Sequence, residues 1–219
     1  MESINYEAVL FDLDGTLLDT IEDLTDSMNF ALARLGFSAL TIEQCKLHVG
    51  EGRDVFARRA LPEGARDDKT VSRCIEMMTE HYADNWANKT KPYGGVESLL
   101  SELASRGLRM VVLSNKYDSS VRQAVSHFFA AGTFEIVRGA VENVPRKPDP
   151  TSALQIADEL GVEPGRFLYL GDTNTDMQTA VSAGMYPVGV KWGFRTAEEL
   201  AENGARQLLD RPEGLLQLL

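Results

Sequence analysis

Five short apolar runs constrain the fold of this chain more than any other feature of its sequence. Each has the length of a single β-strand; they are Ala8–Leu13, Leu108–Leu113, Phe134–Val137, Phe167–Leu170 and Pro187–Val190. Segments with helical spacing of apolar residues separate the last four runs, and strands that alternate with helices build parallel sheets covered on both faces. The sequence therefore predicts an α/β fold with a doubly wound parallel sheet, a Rossmann-like core.

The segment between the first two runs has a different pattern. Its apolar residues keep helical spacing, and Thr41 with Gln44 forms a capping box, the signature of a helix N-terminus. No part of this segment reads as a convincing strand. We therefore expect an all-helical domain of residues 17–91, inserted after the first strand of an α/β domain made of residues 1–16 and 92–219.

Composition narrows the classes of function. The 219 residues, 43% of them apolar, are enough to bury a full core, and the formal charge of −11 repels nucleic acid and anionic lipid. No apolar run approaches the roughly 20 residues of a membrane span. The N-terminus lacks a secretory pattern, and the two cysteines form no disulfide or metal-binding framework. We expect a cytoplasmic protein, monomer or homodimer, that acts on a small molecule without nucleic acid or membrane partners.

Carboxylates occur at the ends of the first and the fourth run. Asp12 and Asp14 are two residues apart and precede Gly15, and Asp172 and Asp176 are four residues apart after the fourth run. Both spacings place the two acids on one side of the chain. Each pair alone has a plain structural explanation, as a solvated strand end or as an acid in the first turn of a helix.

The second run ends in Ser114 and Asn115, and Lys147 precedes a predicted helix through Pro148. Turn chemistry explains the first two nearly as well as function does, and an incidental surface lysine explains the third. However, ligands of open α/β sheets bind beyond the carboxyl ends of the strands. Two acid pairs, two neutral donors and one cation at such ends together indicate a site for a phosphate group.

The acids also predict a metal ion. Two unit negative charges about 4 Å apart repel by roughly 4 kcal/mol at an effective dielectric near 20, so a phosphate beside Asp12, Asp14 and Asp172 requires a compensating cation. Oxygen ligands without histidine or cysteine favour Mg²⁺. Lys147 would add positive charge where the phosphoryl group is transferred.

The chain resembles the haloacid dehalogenase superfamily of phosphatases in four motifs that occur in the family's order: Asp12-Leu13-Asp14-Gly15-Thr16, Ser114-Asn115, Lys147, and Gly171-Asp172 through Asp176. Finer features are similar to its phosphoglycolate phosphatase branch: Val49-Gly50-Glu51-Gly52, Tyr93-Gly94-Gly95-Val96, Lys147-Pro148-Asp149-Pro150 and Gly189-Val190-Lys191-Trp192-Gly193-Phe194. The resemblance implies that the helical insertion is a cap domain. True dehalogenases lack the second acid, so Asp14 argues against carbon–halogen hydrolysis.

The resemblance also implies roles for the residues at the strand ends. Asp12 would be the nucleophile that forms an aspartyl-phosphate, and Asp14 would protonate the leaving group and later activate water. Lys147 would be the third catalytic residue, and Ser114 and Asn115 would bind the phosphoryl oxygens.

The remaining roles concern the metal and the cap. Mg²⁺ would be bound by Asp12, by Asp14 through its backbone carbonyl, and by Asp172. Thr16 and Asp176 would support this shell. In the cap, Gly52 and Arg53 would bind the non-phosphate end of the substrate, since an arginine suits a carboxylate; a glycine-broken helix junction with an exposed arginine explains them almost equally well.

These observations leave more than one function open. We expect hydrolysis of a small phosphate monoester, with 2-phosphoglycolate as the first choice of substrate. A phosphosugar mutase similar to β-phosphoglucomutase, or a pyrophosphatase, would use the same motifs. A regulatory or binding protein without activity is disfavoured because Asp12, Asp14, Lys147 and Asp172 are all present.

Overall fold

The computed structural model describes residues 5–219. Its strands, numbered along the chain, are β1 (Ala8–Phe11), β2 (Leu18–Asp19), β3 (Lys91–Pro92), β4 (Arg109–Tyr117), β5 (Ile136–Ala140), β6 (Phe167–Gly171), β7 (Tyr186–Val190) and β8 (Gln207–Leu209). Its α-helices are α1 (Ile21–Arg34), α2 (Ile42–His48), α3 (Arg53–Ala60), α4 (Asp68–Asn85), α5 (Val96–Ser105), α6 (Asp118–Phe128), α7 (Thr151–Leu160), α8 (Asn174–Ala183) and α9 (Ala197–Glu202). Short 3₁₀ segments span Glu63–Ala65, Pro164–Arg166 and Pro212–Leu218.

The described chain forms two compact units. One consists of the residues up to Leu17 together with Pro92–Leu219, and the other is Leu18–Lys91. Their boundaries lie within one residue of the predicted insertion. We call the first the core unit and the second the helical unit.

The core unit is built on a six-stranded sheet in the order β5-β4-β1-β6-β7-β8, and all five strand pairs are parallel. From β1 the chain proceeds outward through β4 and β5, then crosses to β6 on the other side of β1 and continues outward. This reversal is the mark of a doubly wound sheet, so the predicted fold class is confirmed. It also makes β1 the central strand, with its carboxyl end between those of β4 and β6.

Burial on both faces explains why the strands read as continuous apolar runs. All four residues of β1 are fully buried. On one face, Ala8, Leu10 and Tyr169 pack with apolar residues of α7 and α8, among them Ile156 and Ala180. Burial of one large apolar side chain contributes about 1.5–3 kcal/mol to the stability of the fold. The packed cluster therefore holds the strands, and with them the strand ends, in fixed positions relative to one another.

All five predicted strands differ from their predicted bounds: β1 ends at Phe11 and not at Leu13, β6 and β7 are each one residue longer than predicted, and β4 and β5 differ most. β4 continues through Ser114 and Asn115 to Tyr117, and β5 begins at Ile136, two residues after the predicted start at Phe134. The apolar runs indicated the buried part of each strand, whereas polar strand ends carry no such signal. For the same reason the short edge strand β8 was not predicted.

The helical unit contains α1 to α4. The predicted capping box is present, since the Thr41 side chain accepts from the backbone of Gln44 while the Gln44 side chain accepts from the backbone of Thr41. Met28 of α1 and Cys74 of α4 are buried against each other, with their sulfur atoms 3.7 Å apart. The expectation of a strand-free segment was wrong at its ends, where the two-residue strands β2 and β3 pair with each other. No helix of the described residues is long and apolar enough to cross a membrane.

Candidate active site

Asp12 directly follows the central strand β1, and the other core-unit residues of the candidate site surround it. Its backbone N–H donates to the Leu170 carbonyl at 2.9 Å, which continues the sheet, and the residue is only 6% exposed. Burial, and next the nearby Asp176 carboxylate, raise the pKa of Asp12 to about 7, although Lys147 acts in the opposite direction. The protein therefore holds a carboxylate in surroundings that disfavour its charge unless a further cation is present.

Lys147 links the acids of the site. Its ammonium lies 2.8 Å from Asp12 Oδ1 and 2.6 Å from Asp176 Oδ1, and it donates to the Leu113 carbonyl at 3.1 Å. Burial opposes its charge, but Asp12 and Asp176 more than compensate, so the pKa of Lys147 is raised well above its ordinary value. The lysine is thus a fixed positive charge beside Asp12.

Asn115 has a role that the sequence did not predict. Its side-chain amide donates to the Lys147 carbonyl at 3.0 Å, and its amide oxygen accepts from the Lys147 backbone N–H at 2.9 Å. This reciprocal pair fixes the backbone of Lys147 against the end of β4. Asn115 therefore positions Lys147.

Asp172 and Asp176 are fully buried beside Asp12. Asp172 accepts from the Thr16 hydroxyl at 3.2 Å and from the Phe194 backbone N–H at 2.8 Å. Burial, followed by Asp12 and Asp176, raises the pKa of Asp172 well above its ordinary value. The Thr16 hydroxyl thus helps to hold Asp172 in place, and its part in a metal site stays a prediction.

Asp176 is an acid of the first turn of α8 and also a partner of Lys147. As an acid of the first helical turn, it accepts from the Thr173 backbone N–H at 3.1 Å and from the Thr173 hydroxyl at 2.6 Å, the capping box that begins α8. Its other oxygen pairs with Lys147. The Asp176 side chain therefore both caps α8 and belongs to the buried acid cluster.

A divalent cation fits these acids. One oxygen from each of Asp12, Asp172 and Asp176 lies within 4.8 Å of the others. Asp12 Oδ1 is buried and accepts no hydrogen bond of good geometry, in spite of its short distance to Lys147. Hard cations bind such carboxylate oxygens, and one here would offset the repulsion that raises the pKa values of Asp12 and Asp172.

The acid cluster contains Asp12 and Asp172 of the predicted ligand set and adds Asp176. The backbone carbonyl of Asp14 as third ligand stays a prediction, and the Asp14 side chain accepts from the Lys116 ammonium at 3.0 and 3.2 Å. Both oxygens of Asp172 and both oxygens of Asp176 already accept from protein groups, so Asp12 Oδ1 is the oxygen of the cluster that most needs a further cation. The Asp14 side chain is thus not one of the three clustered carboxylates.

A loop after β7 encloses the same acids. Phe194 donates its backbone N–H to Asp172, and the Trp192 indole N–H donates to the Thr16 carbonyl at 3.0 Å. A Cβ on Gly193 would lie 2.2 Å from Asp172 Cβ, so only glycine fits. The motif from Gly189 to Phe194 was the sequence signal for this loop.

A β-bulge places Ser114 and its neighbours. β4 pairs with β5 in register up to Leu113 and Arg138, after which Tyr117 pairs with Ala140, so that residues 114–116 lie opposite Gly139 alone. A Cβ on Gly139 would lie 2.6 Å from the Lys116 carbonyl oxygen. Ser114 is buried here, and its hydroxyl oxygen accepts from the Lys116 backbone N–H at 3.3 Å. Neither the bulge nor Lys116 was predicted.

Gly52 and Arg53 belong to the helical unit. Gly52 has a φ of +94° and precedes α3, whose first residue is Arg53. The Arg53 guanidinium donates to the Thr79 hydroxyl at 2.9 Å. The proposed contact of these two residues with substrate stays a prediction.

Comparison with known proteins agrees with the motifs. The family model described as haloacid dehalogenase-like hydrolase matches residues 9–190. The chain is 34% identical to the phosphoglycolate phosphatase of Rhodospirillum rubrum, over 93% of this chain and 87% of that protein. A solved structure from Lactobacillus delbrueckii subsp. bulgaricus superimposes with a TM-score of 0.91 at 32% identity, and covers 96% of this chain and 97% of that one.

A more distant structure shares the fold alone. The β-phosphoglucomutase of Clostridium difficile has a TM-score of 0.76 at 22% identity, with 96% of this chain and 93% of that chain covered. The family model spans most of the chain and includes Asp12, Ser114, Lys147 and Asp172. The predicted family is thereby confirmed: the chain belongs to the haloacid dehalogenase-like hydrolases.

Proposed function

We propose that this protein is a magnesium-dependent phosphatase that hydrolyses a small phosphate monoester through a phosphorylated Asp12, with 2-phosphoglycolate as its first-choice substrate. The observation that carries the proposal is the position of Asp12. It is buried at the end of the central strand, within 2.8 Å of the Lys147 ammonium, with Asp14 two residues further along the chain.

The first half-reaction transfers the phosphoryl group to the protein. A carboxylate oxygen of Asp12 attacks phosphorus in line, and the bond from phosphorus to the ester oxygen breaks as the new bond to Asp12 forms. Asp14 gives a proton to the departing oxygen, so that an alcohol leaves instead of an alkoxide. Lys147 and the Ser114 hydroxyl stabilise the charge on the transferring phosphoryl oxygens.

The second half-reaction returns Asp12 to its starting state. Asp14, now a carboxylate, accepts a proton from a water molecule that attacks the phosphorus of the acyl phosphate. The bond between phosphorus and Asp12 breaks, and inorganic phosphate is released. One acid thus serves both steps, first as proton donor and then as base.

Mg²⁺ is the cation we expect beside Asp12 and Asp172. When bound, it neutralises charge between the carboxylates and the substrate phosphate and fixes their geometry. The donor set supports this choice because it consists of oxygen atoms, without histidine or cysteine.

The choice of substrate rests on similarity. The relatives from Rhodospirillum rubrum and Aquifex aeolicus, at 34% and 30% identity, are both named phosphoglycolate phosphatases and match over nearly the whole chain. A β-phosphoglucomutase shares this fold, so the fold alone does not separate hydrolysis from transfer to a sugar. The net charge of −11 supports a small phosphorylated metabolite, instead of nucleic acid or membrane, as partner, and we propose a cytoplasmic location.

The test is phosphate release from a panel of phosphorylated metabolites in the presence of Mg²⁺. We expect 2-phosphoglycolate to rank first, with activity lost in chelator and restored by Mg²⁺. A low rank for 2-phosphoglycolate would overturn the substrate assignment alone. Phosphate transfer to a sugar without net release would favour the mutase, and full activity in chelator would contradict the metal.

A further inference from the structure

The Lys116 side chain is bound to the acid that the proposed mechanism uses twice. Its ammonium donates to both carboxylate oxygens of Asp14, at 3.0 and 3.2 Å, and the two side chains are only 12% and 14% exposed. The β4 bulge opposite Gly139 brings Lys116 to this place. The contact is therefore a mostly buried ion pair, positioned by the core unit itself.

This ion pair interferes with the proposed role of Asp14 as proton donor and then base. To serve the ester oxygen or a water molecule, Asp14 must turn an oxygen toward that atom, yet both of its oxygens accept from one ammonium. A productive complex therefore needs Lys116 to release at least part of this contact. Separation of this largely buried ammonium from the Asp14 carboxylate is unfavourable unless another anion comes within reach.

A substrate with an anionic group beside its ester oxygen supplies that anion. In 2-phosphoglycolate the carboxylate is attached to the same carbon as the ester oxygen. When that oxygen lies against Asp14, the substrate carboxylate lies close to Asp14 too. Two such carboxylates about 4 Å apart repel by roughly 4 kcal/mol at an effective dielectric near 20, so a cation between them is strongly favoured.

We propose that Lys116 determines specificity: it pairs with Asp14 in the free protein and moves to the substrate carboxylate when a phosphate ester of an α-hydroxy acid binds. This inference rests on the proposed function and deepens it. The exchange couples recognition to catalysis, because a substrate with the correct anion frees Asp14 as it binds. Esters without the anion leave Lys116 on Asp14.

The test compares two substrates and two variants. Lys116→Met removes the charge at similar length, and Lys46→Met is the matched control because Lys46 forms an exposed pair with Glu43 on α2. The substrates are 2-phosphoglycolate and ethyl phosphate, which carries a methyl group in place of the carboxylate. We expect Lys116→Met to lower kcat/KM for 2-phosphoglycolate by about 10- to 100-fold and for ethyl phosphate by less than about 3-fold. Lys116→Arg should recover part of the loss, and Lys46→Met should change neither value.

The outcomes separate this proposal from the proposed function. Equal losses on both substrates would show that Lys116 acts only through Asp14, and would overturn the proposal. A wild-type enzyme that hydrolyses ethyl phosphate as well as 2-phosphoglycolate would also overturn it, while the phosphatase assignment stands. If neither ester is hydrolysed in the presence of Mg²⁺, both the Lys116 proposal and the proposed phosphatase function are wrong. Ethyl phosphate turnover by Lys116→Met reports that the variant is folded.

Discussion

Asp12 is a buried anion with too little positive charge around it. Asp172 and Asp176 share its site, and the pKa of Asp12 is raised to about 7 by burial and then by Asp176. Lys147 pairs with Asp12 and Asp176, so one positive charge faces two of the three clustered carboxylates. An excess of negative charge of this kind favours binding of a metal ion, because the cation balances the carboxylates and the phosphate together.

Asp12→Asn should separate chemistry from stability. An amide is no nucleophile, so we expect less than a few per cent of wild-type phosphate release. The same change removes one of the mutually repelling carboxylates, so the metal-free variant should unfold at a temperature equal to or above that of the wild type. Phosphate assays and thermal unfolding in chelator measure both. Substantial turnover in protein shown by mass to be free of deamidation would contradict the role of Asp12.

At the scale of elements, the site depends on how strand ends are shaped. β1 contributes Asp12 by simple continuation, whereas β4 needs its bulge to place Ser114, Asn115 and Lys116. The bulge in turn needs Gly139, because a Cβ there would meet the Asp118 Cα at 2.5 Å and the Lys116 carbonyl oxygen at 2.6 Å. Both are backbone atoms, which cannot turn aside as a flexible side chain would.

Gly139→Ala should therefore displace the residues of the β4 bulge and so lower activity, although Gly139 itself is not a proposed site residue. We expect a loss of about 1–3 kcal/mol in the free energy of unfolding, and a fall in kcat/KM of about 10- to 100-fold as the residues opposite are displaced. Gly165→Ala is the control, since its new Cβ would meet nothing within 4 Å. Denaturant unfolding and steady-state kinetics check the pair. Equal behaviour of the two variants would refute the dependence of the bulge on Gly139.

The sequence predicted the elements whose signal is local. Continuous apolar runs indicated β1, β4, β6 and β7, and the spacing of Asp12, Asp14, Asp172 and Asp176 indicated a cluster of acids. Contacts between segments distant in the chain had no such signal. The pairing of Lys116 with Asp14 and of Phe194 with Asp172 follows from sheet order and a register shift, which no single run of residues encodes.

At the scale of the whole molecule, the described acids of the candidate site all belong to the core unit. Gly52 and Arg53, which we expect to contact the non-phosphate end of the substrate, belong to the helical unit, whereas Lys116 belongs to the core unit. The residues proposed for specificity therefore come from both units.

Because of the acid cluster, the stability of the folded protein should depend on pH and on bound metal. The pKa values of Asp12 and Asp172 are raised in the folded protein, so their contribution to stability is complete below about pH 4, where the unfolded carboxyls also bind protons. For Asp12 it is lost as pH rises through about 7. Metal-free protein should therefore melt at a lower temperature at pH 8 than at pH 5.5.

Mg²⁺ should reverse this loss. At about 100 times its dissociation constant, a ligand of the folded state contributes about 2.7 kcal/mol, which corresponds to roughly 5–10 °C for a chain of this size. We expect the larger increase at pH 8, where the carboxylates are ionised, and a smaller difference between the two pH values in Asp12→Asn. An Mg²⁺ effect that is equal at both pH values would count against a metal site made of these acids.

The central claim is that the phosphoryl group passes through Asp12, and the intact mass of Asp14→Asn protein tests it most directly. This variant lacks the base for the second half-reaction, but 4-nitrophenyl phosphate has a leaving group that departs without an acid. After mixing with this ester and Mg²⁺ and quenching in acid, we predict a mass increase of one phosphoryl group. The Asp12→Asn, Asp14→Asn double variant should show no increase. Release of 4-nitrophenol without a phosphorylated protein, or an adduct that persists in the double variant, would contradict the account.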